Sequence, residues 1–391
     1  MVLSNRRSQC VTRSLYANDL IGGGYIVPLD KALGLRPDDY ATFETREMLL
    51  YFSSLNCPGD TEILLKKAGL CQPSKTAIQN VIKKDGHRME ESRDDLRQKV
   101  LALDGIPKNA SILVASMDGA NILLREKGSK KGAKPKRPGD TSVPSESSSS
   151  YRNAMVGSFS FYVPDDEGNP QRAHSRYIAR APEEKFSVFK QEFEQVSTYF
   201  SDQARCPDIP LKKIMLCDGH RSIWNYVTNT NVYDEYELLL DFFHTTEHLS
   251  KAGEAIFGAS SSQGQKWYTQ YKEKLCTDEN APQSIIRSIE GFLDRKKIPK
   301  SRYEDAKREL TFFKRNKKLM RYCEFIEKGY PIGSGPVEAA AKSIVKHRLC
   351  KSGMRWNRNG AQHILTLRAY AKSGTWSDMW DVYSQELLKA A

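Results

Sequence analysis

Three acidic residues in this chain occupy places where carboxylates can do metal-assisted work. Asp118 ends an apolar run, Ile112-Leu113-Val114-Ala115-Ser116-Met117, that reads as a buried strand. Asp218 ends a second run, Ile214-Met215-Leu216-Cys217, and is followed by Gly219-His220. Glu338 lies far downstream, after Gly333-Ser334-Gly335-Pro336. Pro336 favours the first helical position, which makes Gly335 the N-cap and Glu338 the third residue of a helix. A glutamate there also has a structural use, since it can bond back to the cap and complement the helix dipole. Carboxylates at two strand ends and one helix start can converge on a rigid site. Three of them can hold two Mg²⁺ or Mn²⁺ ions, hard cations that prefer oxygen ligands. Such ions, about 3.5–4 Å apart, stabilise the attacking and leaving oxygens of an in-line displacement. A single aspartate at a strand end is more often a turn former. Two Asp-Gly strand ends with a downstream glutamate shift the balance towards phosphodiester chemistry.

The charge of the chain agrees with a polyanionic substrate. Lysine and arginine number 60 against 48 acids, in a chain of 391 residues with 39% hydrophobic and 28% charged content. The excess is clustered at Lys127 to Arg137 and again from Lys342 to Arg358. Clustered cations bind phosphate backbones by counterion release, whereas a merely solvated basic face is the plainer alternative. The second cluster interleaves Lys342, Lys346, His347, Arg348, Lys351 and Arg355 with Trp356. On one helix it makes a basic stripe near Glu338, suited to DNA phosphates, with Trp356 available to stack on a base. Trp376 and Trp380 read as core packing. No run approaches the roughly 20 apolar residues of a membrane helix, and the N-terminus lacks a secretory layout. Eight scattered cysteines fit reduced thiols in a cytoplasmic protein and build no zinc ribbon.

The elements that must position these groups follow from periodicity. Residues 1–41 read as an irregular arm broken by Gly22-Gly23-Gly24, Pro28 and Pro37. Residues 42–107 read as a helical domain with three short helices. Gly69 falls in the turn before the last of them, and Asp85-Gly86 is its stop. The arrangement resembles a helix-turn-helix, whose outward face carries Lys75, Thr76, Gln79, Asn80 and Lys83 for bases and phosphates; an ordinary helical bundle is the alternative. A polar helix, 90–103, leads to an α/β core beginning at 108–240. After Asp118, Asn121 to Leu124 reads as a second strand. The segment 127–150, with Lys130 and Lys131, reads as a mobile basic loop that contacts DNA. Strands at 155–163, 173–178 and 236–240 and a helix at 182–199 complete this part. Residues 241–328 read as helical and charged, an insertion before the 329–391 part that bears Glu338.

One further pattern competes. His244-Thr245-Thr246-Glu247-His248 matches the H-x-x-E-H order of inverted zinc proteases. No separate carboxylate ligand is placed by the local sequence, so Asp241 and His244 read instead as positioning residues beside the metal site. A helix-capping or packing role for the pair is equally open.

In order and context, several segments are similar to the DDE transposases of bacterial insertion sequences, specifically the IS-Kra-four group, related to Mutator-like transposases. They are Met117-Asp118-Gly119-Ala120, Cys217-Asp218-Gly219-His220, Asp241-Phe242-Phe243-His244 with Glu247-His248-Leu249, Gly333-Ser334-Gly335-Pro336-Val337-Glu338, and Lys351-Ser352-Gly353-Met354-Arg355-Trp356. Pro28 to Leu35 is similar to the family's N-terminal region. The resemblance implies an RNase H-like core with an all-helical insertion and Asp118, Asp218 and Glu338 as the metal-binding triad. It implies strand cleavage and transfer on terminal inverted repeats and target DNA, by a homo-oligomer in the bacterial cytoplasm, nucleoid-associated when bound, with no membrane. One departure is that only Cys10 precedes the Pro-Leu-Asp segment, where family members often carry paired cysteines. A catalytically silent or domesticated DNA-binding descendant is therefore the alternative reading.

Overall fold

The computed structural model describes residues 41–125, 150–203, 211–295 and 298–390, together with Pro28 and four short strands nearer the N-terminus. Those strands pair as two antiparallel ribbons, Val2–Leu3 with Ser8–Gln9 and Tyr16–Asn18 with Gly24–Ile26, within the arm expected to be irregular. Lys130, Lys131 and the rest of the 127–149 segment lie outside the described residues.

A five-stranded mixed sheet organises the molecule. Its strands are β1 (Ile112–Leu124), β2 (Ser150–Pro164), β3 (Pro170–Arg180), β4 (Lys212–Cys217) and β5 (Glu237–Leu240), in the spatial order β3-β2-β1-β4-β5. β2 runs antiparallel to both β1 and β3, whereas β4 and β5 run parallel to β1. The central strands β1 and β4 are buried on both faces, which is why they read as unbroken apolar runs. This mixed α/β arrangement is compatible with an RNase H-like core.

Asp118 does not end its strand, and Asn121 to Leu124 is not a separate one. β2 pairs with β1 along its whole length, from Ile112↔Tyr162 to Leu124↔Ser150, and carries the strand straight through Asp118. β4 pairs only with Ile112 to Ala115. On its parallel side β1 therefore stands unpaired by β4 beyond Ala115, and Asp118 lies three residues past the last pair, as Asp218 does on the other strand.

Helices cover both faces. On one side lie α1 (Phe43–Leu55), α2 (Pro58–Lys67), α3 (Lys75–Glu91) and α4 (Arg93–Leu103). On the other lie α5 (Ser187–Gln203), α6 (Arg221–Val227), α7 (Phe242–Phe257), α8 (Ser262–Thr277), α9 (Ala281–Asp294), α10 (Lys300–Asn316) and α11 (Tyr322–Glu327). The chain then returns to the first side as α12 (Gly335–Ala340), a π-helical stretch (Ala341–Lys346) and a last turn α13 (His347–Leu349). It ends with α14 (Arg358–Ser373) and α15 (Trp376–Ala390). Two apolar cores result. One joins Ile112 to Val114 and Met117 to Phe193, Leu249, Ile285, Phe313 and Phe325. The other joins Ala120, Ile122 and Leu124 to Leu49, Ile78, Val100, Val337, Ile344, Leu365 and Trp380. Along β1 the hand-over between cores falls at Asp118-Gly119, the first two residues of the strand that are only half-buried.

α3 does not stop at Asp85-Gly86. Asp85 is buried and pairs with Arg46 of α1 while accepting from the Tyr383 hydroxyl at 2.6 Å, so the acid is consumed inside the helix bundle. Gly86 lets α3 pass the His363 ring, which a Cβ would meet at 2.4 Å. Burial of both residues carries the helix on to Glu91. No helix of the described residues is long and apolar enough to cross a membrane.

Candidate active site

Each of the three acids is held by local backbone and by a neighbouring helix. Asp118 sits mid-strand opposite Val156, and its carboxylate accepts the Gly119 N–H at 2.6 Å. Burial pushes the Asp118 carboxyl above the ordinary carboxylate range, against the pull of that N–H; the charges of Asp218 and Glu338 push the same way and Lys346 opposes them. Asp118 therefore lies in the field of both other acids although they are far apart in sequence.

Asp218 follows the last residue of β4. Its carboxylate accepts the His220 N–H at 3.0 Å, and its carbonyl accepts from the Trp224 indole at 2.7 Å. The next residue is clamped from α10, where Arg315 donates to the Gly219 carbonyl at 3.0 Å. A Cβ on Gly219 would meet the Phe312 ring at 2.5 Å, so glycine is what allows α10 to close over this turn. Trp224, Phe312 and Arg315 were not singled out by sequence. Gly219 was visible as an Asp-Gly turn, but its partner on a helix more than ninety residues away was not.

Glu338 enters differently from its expected position. Ser334, not Gly335, is the cap, and Gly335 and Pro336 are the first two helical residues, so Glu338 is the fourth. Its N–H already bonds the Ser334 carbonyl at 3.2 Å. Its exposed side chain makes an ion pair with Lys342, one turn on, at 2.7 Å.

Asp241 ties these segments together. It is 4% exposed, follows β5 and is the N-cap of α7. One carboxylate oxygen accepts the His244 N–H at 2.6 Å and the other accepts the Ser334 N–H at 2.5 Å. Its own N–H bonds the Cys217 carbonyl at 2.8 Å, and the Phe242 N–H bonds Ile332. Of the two roles open for Asp241, the geometry gives capping, and the same cap fixes where the Glu338 helix begins. His244 lies beside the Asp218-Gly219 turn, and its imidazole is pushed down mainly by burial, against the charge of Asp218. His248 is paired with Glu309 at 2.6 Å and stacked on Phe312 at 3.6 Å, and His244 meets the same ring edge-on, so both histidines of the H-x-x-E-H pattern pack α7 against α10 while Glu247 is exposed.

Among the described residues no three His, Cys, Asp or Glu side chains stand close enough to make a metal-ligand group. The acids supply the right donor chemistry for a hard divalent cation, but with Glu338 turned to Lys342 the arrangement does not fit one as it stands.

The basic residues divide into separate sets. Lys342 serves Glu338, and the charge of Lys346 pulls the Asp118 carboxyl down against its burial. Arg348 is not part of an exposed stripe. It is 1% exposed, donates to the Ser53 carbonyl and stacks on Trp356. The π-helical turn rotates it inward, where the C-terminal carbonyls of α1 need donors. Arg368 does the same for Ser54, Ser343 and Ile344. Lys75, Gln79, Asn80 and Lys83 are exposed on α3, and Lys351 and Arg355 are exposed on the loop before α14. Trp356 is half-buried, with its indole N–H given to the Leu349 carbonyl.

No family model and no curated protein sequence matches the chain. Among solved structures the chain is similar to the Drosophila P element transposase strand transfer complex, at 11% identity over 88% of this chain and 81% of that one. The TM-score is 0.29, which is too low for the likeness to carry weight beside the geometry.

Proposed function

We propose that this protein is a DNA-processing enzyme of the DDE transposase type, with an RNase H-like core interrupted by the helical 241–328 insertion. It would cleave strands at insertion-sequence ends and transfer them to target DNA, working as a homo-oligomer on terminal inverted repeats. One observation carries the reading. Three residues beyond the last β1–β4 pair, Ala115↔Met215, both strands reach an aspartate, Asp118 and Asp218, and Asp241 bonds both the Cys217 carbonyl and the Ser334 N–H at the start of the Glu338 helix. In sheets of this kind ligands bind outside the carboxyl ends of parallel strands. Once Glu338 leaves Lys342, Asp118, Asp218 and Glu338 would hold Mg²⁺ or Mn²⁺, which would supply charge neutralisation at the scissile phosphate. The protein's own part is positional: Asp241 sets the start of the Glu338 helix, α10 braces the Asp218 turn, and Lys346 offsets the negative charge around Asp118.

A second reading has its own support. The Glu338–Lys342 ion pair, which occupies the third carboxylate, favours a silent DNA-binding descendant. Incubation of end-containing DNA with Mg²⁺ separates the two. The transposase reading expects nicking by the native chain, loss of nicking in Asp118→Asn and Glu338→Gln, and unchanged DNA binding in both variants. No nicking by the native chain in Mg²⁺ or Mn²⁺ would leave the silent reading standing.

A further inference from the structure

A groove of about 1470 Å³ lies away from the acidic cluster, between α3 and the loop leading into α14. Ordinary small-molecule pockets occupy about 300–1,000 Å³, so the space suits something longer than one small ligand. Among the described residues that line it there is no aspartate or glutamate. Lys75 and Lys83 stand on one wall, Arg355 and Arg358 on the other, and Arg125 at the end of β1. None of these five makes an ion pair with a described residue. Three helices also begin at this groove: α2 at Pro58, α3 at Lys75 and α14 at Arg358. Glu62 already accepts the Lys75 N–H at 3.1 Å and Asp60 lies in the first turn of α2, so α14 is the helix that brings a positive end with no acid in its first turn. Five cations with no acidic partner among the described residues, gathered in one concavity, make a site for a polyanion.

The rest of the lining indicates which polyanion. Ile82, Leu124 and Ile364 are apolar, and Gln79, Asn80 and Asn359 carry amides that can read base edges. Trp356 is fixed before any ligand arrives: its N–H bonds the Leu123 carbonyl at 3.1 Å, its carbonyl accepts the Arg125 N–H at 2.7 Å, and Arg348 covers its ring. A duplex presents phosphates on a convex surface and keeps its bases stacked, so it needs neither apolar walls nor a cleft. A helix that reads the major groove must project from its domain, whereas the polar face of α3 looks across a cleft at the 353–360 loop. Cations and amides along a groove floored by the buried Ile82, Leu124 and Ile364, with the half-buried Trp356 at its side, suit an unstacked strand.

We propose that this groove binds a short stretch of single-stranded nucleic acid, with Lys75, Lys83, Arg125, Arg355 and Arg358 on the phosphates. The inference takes the identity of the polymer, DNA, from the reading above but not its chemistry. Five phosphate contacts on a single strand give a slope of about −3.5 in log affinity against log salt, or roughly hundredfold weakening between 50 and 200 mM.

The test is fluorescence anisotropy with a labelled twelve-nucleotide single strand and the matching blunt duplex, in EDTA, on the full chain. The comparison variants are Lys83→Gln/Arg355→Gln and a control of equal charge change, Lys266→Gln/Lys318→Gln, on α8 and after α10. Tighter binding of the single strand is expected. The groove variant should lose at least tenfold and about 1.4 from the salt slope, with the control and Asp118→Asn unchanged. All four changed residues of the two double variants are exposed, and a melting curve for each checks folding. Preference for duplex, or equal loss in the control, overturns the proposal. Absence of metal-dependent nicking with the groove result intact would reject the catalytic reading alone. Nicking with native-like binding by the groove variant would reject the groove alone.

Discussion

Replacing Asp241 with asparagine isolates one hydrogen bond that sets the candidate site. The carboxylate accepts two backbone N–H groups, from His244 at 2.6 Å and Ser334 at 2.5 Å. Asparagine caps helices about as well as aspartate, so its remaining oxygen keeps the His244 bond and α7 stays capped. The new amide then points a donor at the Ser334 N–H. A hydrogen bond to a charged group contributes about 1.5–3 kcal/mol, and the buried N–H is left without a substitute. At about 1.4 kcal/mol per decade, opening of the 332–338 segment should become roughly 10- to 150-fold more frequent. Hydrogen exchange read by mass spectrometry on peptides covering 330–340 measures this directly. Protection should fall there and remain native in α7. Asp241→Ala should lower it in both places, by about 1 kcal/mol more at the α7 end. DNA nicking should fall in Asp241→Asn while DNA binding persists, because Glu338 is no longer held in place. Native protection of 332–338 in the asparagine variant would refute the argument that Asp241 fixes the start of the Glu338 helix.

Asp118→Asn should raise stability near neutral pH, by about 0.5–2 kcal/mol, as active-site replacements that remove strain commonly do. The folded-state carboxyl lies above its unfolded value, so ionising it costs stability as pH rises through that range. Melting curves at pH 7 should show the gain, and curves below the ordinary carboxylate range should show it vanish; a gain that is independent of pH would contradict this. Gly219→Ala places a Cβ 2.5 Å from the Phe312 ring and should cost about 1–3 kcal/mol in urea unfolding, with partial recovery in Gly219→Ala/Phe312→Leu. No recovery would mean that α10 does not press on the turn. Lys342→Ala removes an exposed ion pair that is worth little to stability. Its melting temperature should stay native while calorimetric Mn²⁺ affinity rises severalfold, since Glu338 is released; unchanged affinity would remove Lys342 as a competitor. Arg348→Ala should destabilise by about 2–4 kcal/mol and leave the salt slope of DNA binding unaltered, because its guanidinium serves the α1 carbonyls and packs on Trp356.

What the sequence revealed depended on how local the cause was. The unbroken apolar runs before Asp118 and Asp218 marked central strands correctly because burial on both faces is written residue by residue. The end of the first strand was misread because an Asp-Gly pair is a turn signal only when no partner strand continues beside it, and β2 does continue. The same local rule failed at Asp85-Gly86, where Arg46 and Tyr383 satisfy the acid from other helices. The stop signals were real, but tertiary partners overrode them. Trp376 and Trp380 were legible as core, whereas Arg348 was not, since its burial follows from a π-helical turn that periodicity does not reveal. The three candidate acids were named from type and spacing. Their supports, Trp224, Phe312 and Arg315, were not, because a bond from α10 to the Gly219 carbonyl leaves no pattern near either residue.

The second apolar core has a consequence for how this chain can change. Residues of α1, α3 and α4 are packed into the same oil as Val337, Ile344 and the terminal helices, and Ala120, Ile122 and Leu124 close it from the sheet. The N-terminal helices therefore cannot be exchanged for another unit, as a tethered domain could be. Cutting them away would strip the lining from the helix run that bears Glu338. A substitution that re-tunes what α3 touches is transmitted to that run through shared packing, so the proposed binding face and the proposed metal-ligand helix must be altered together.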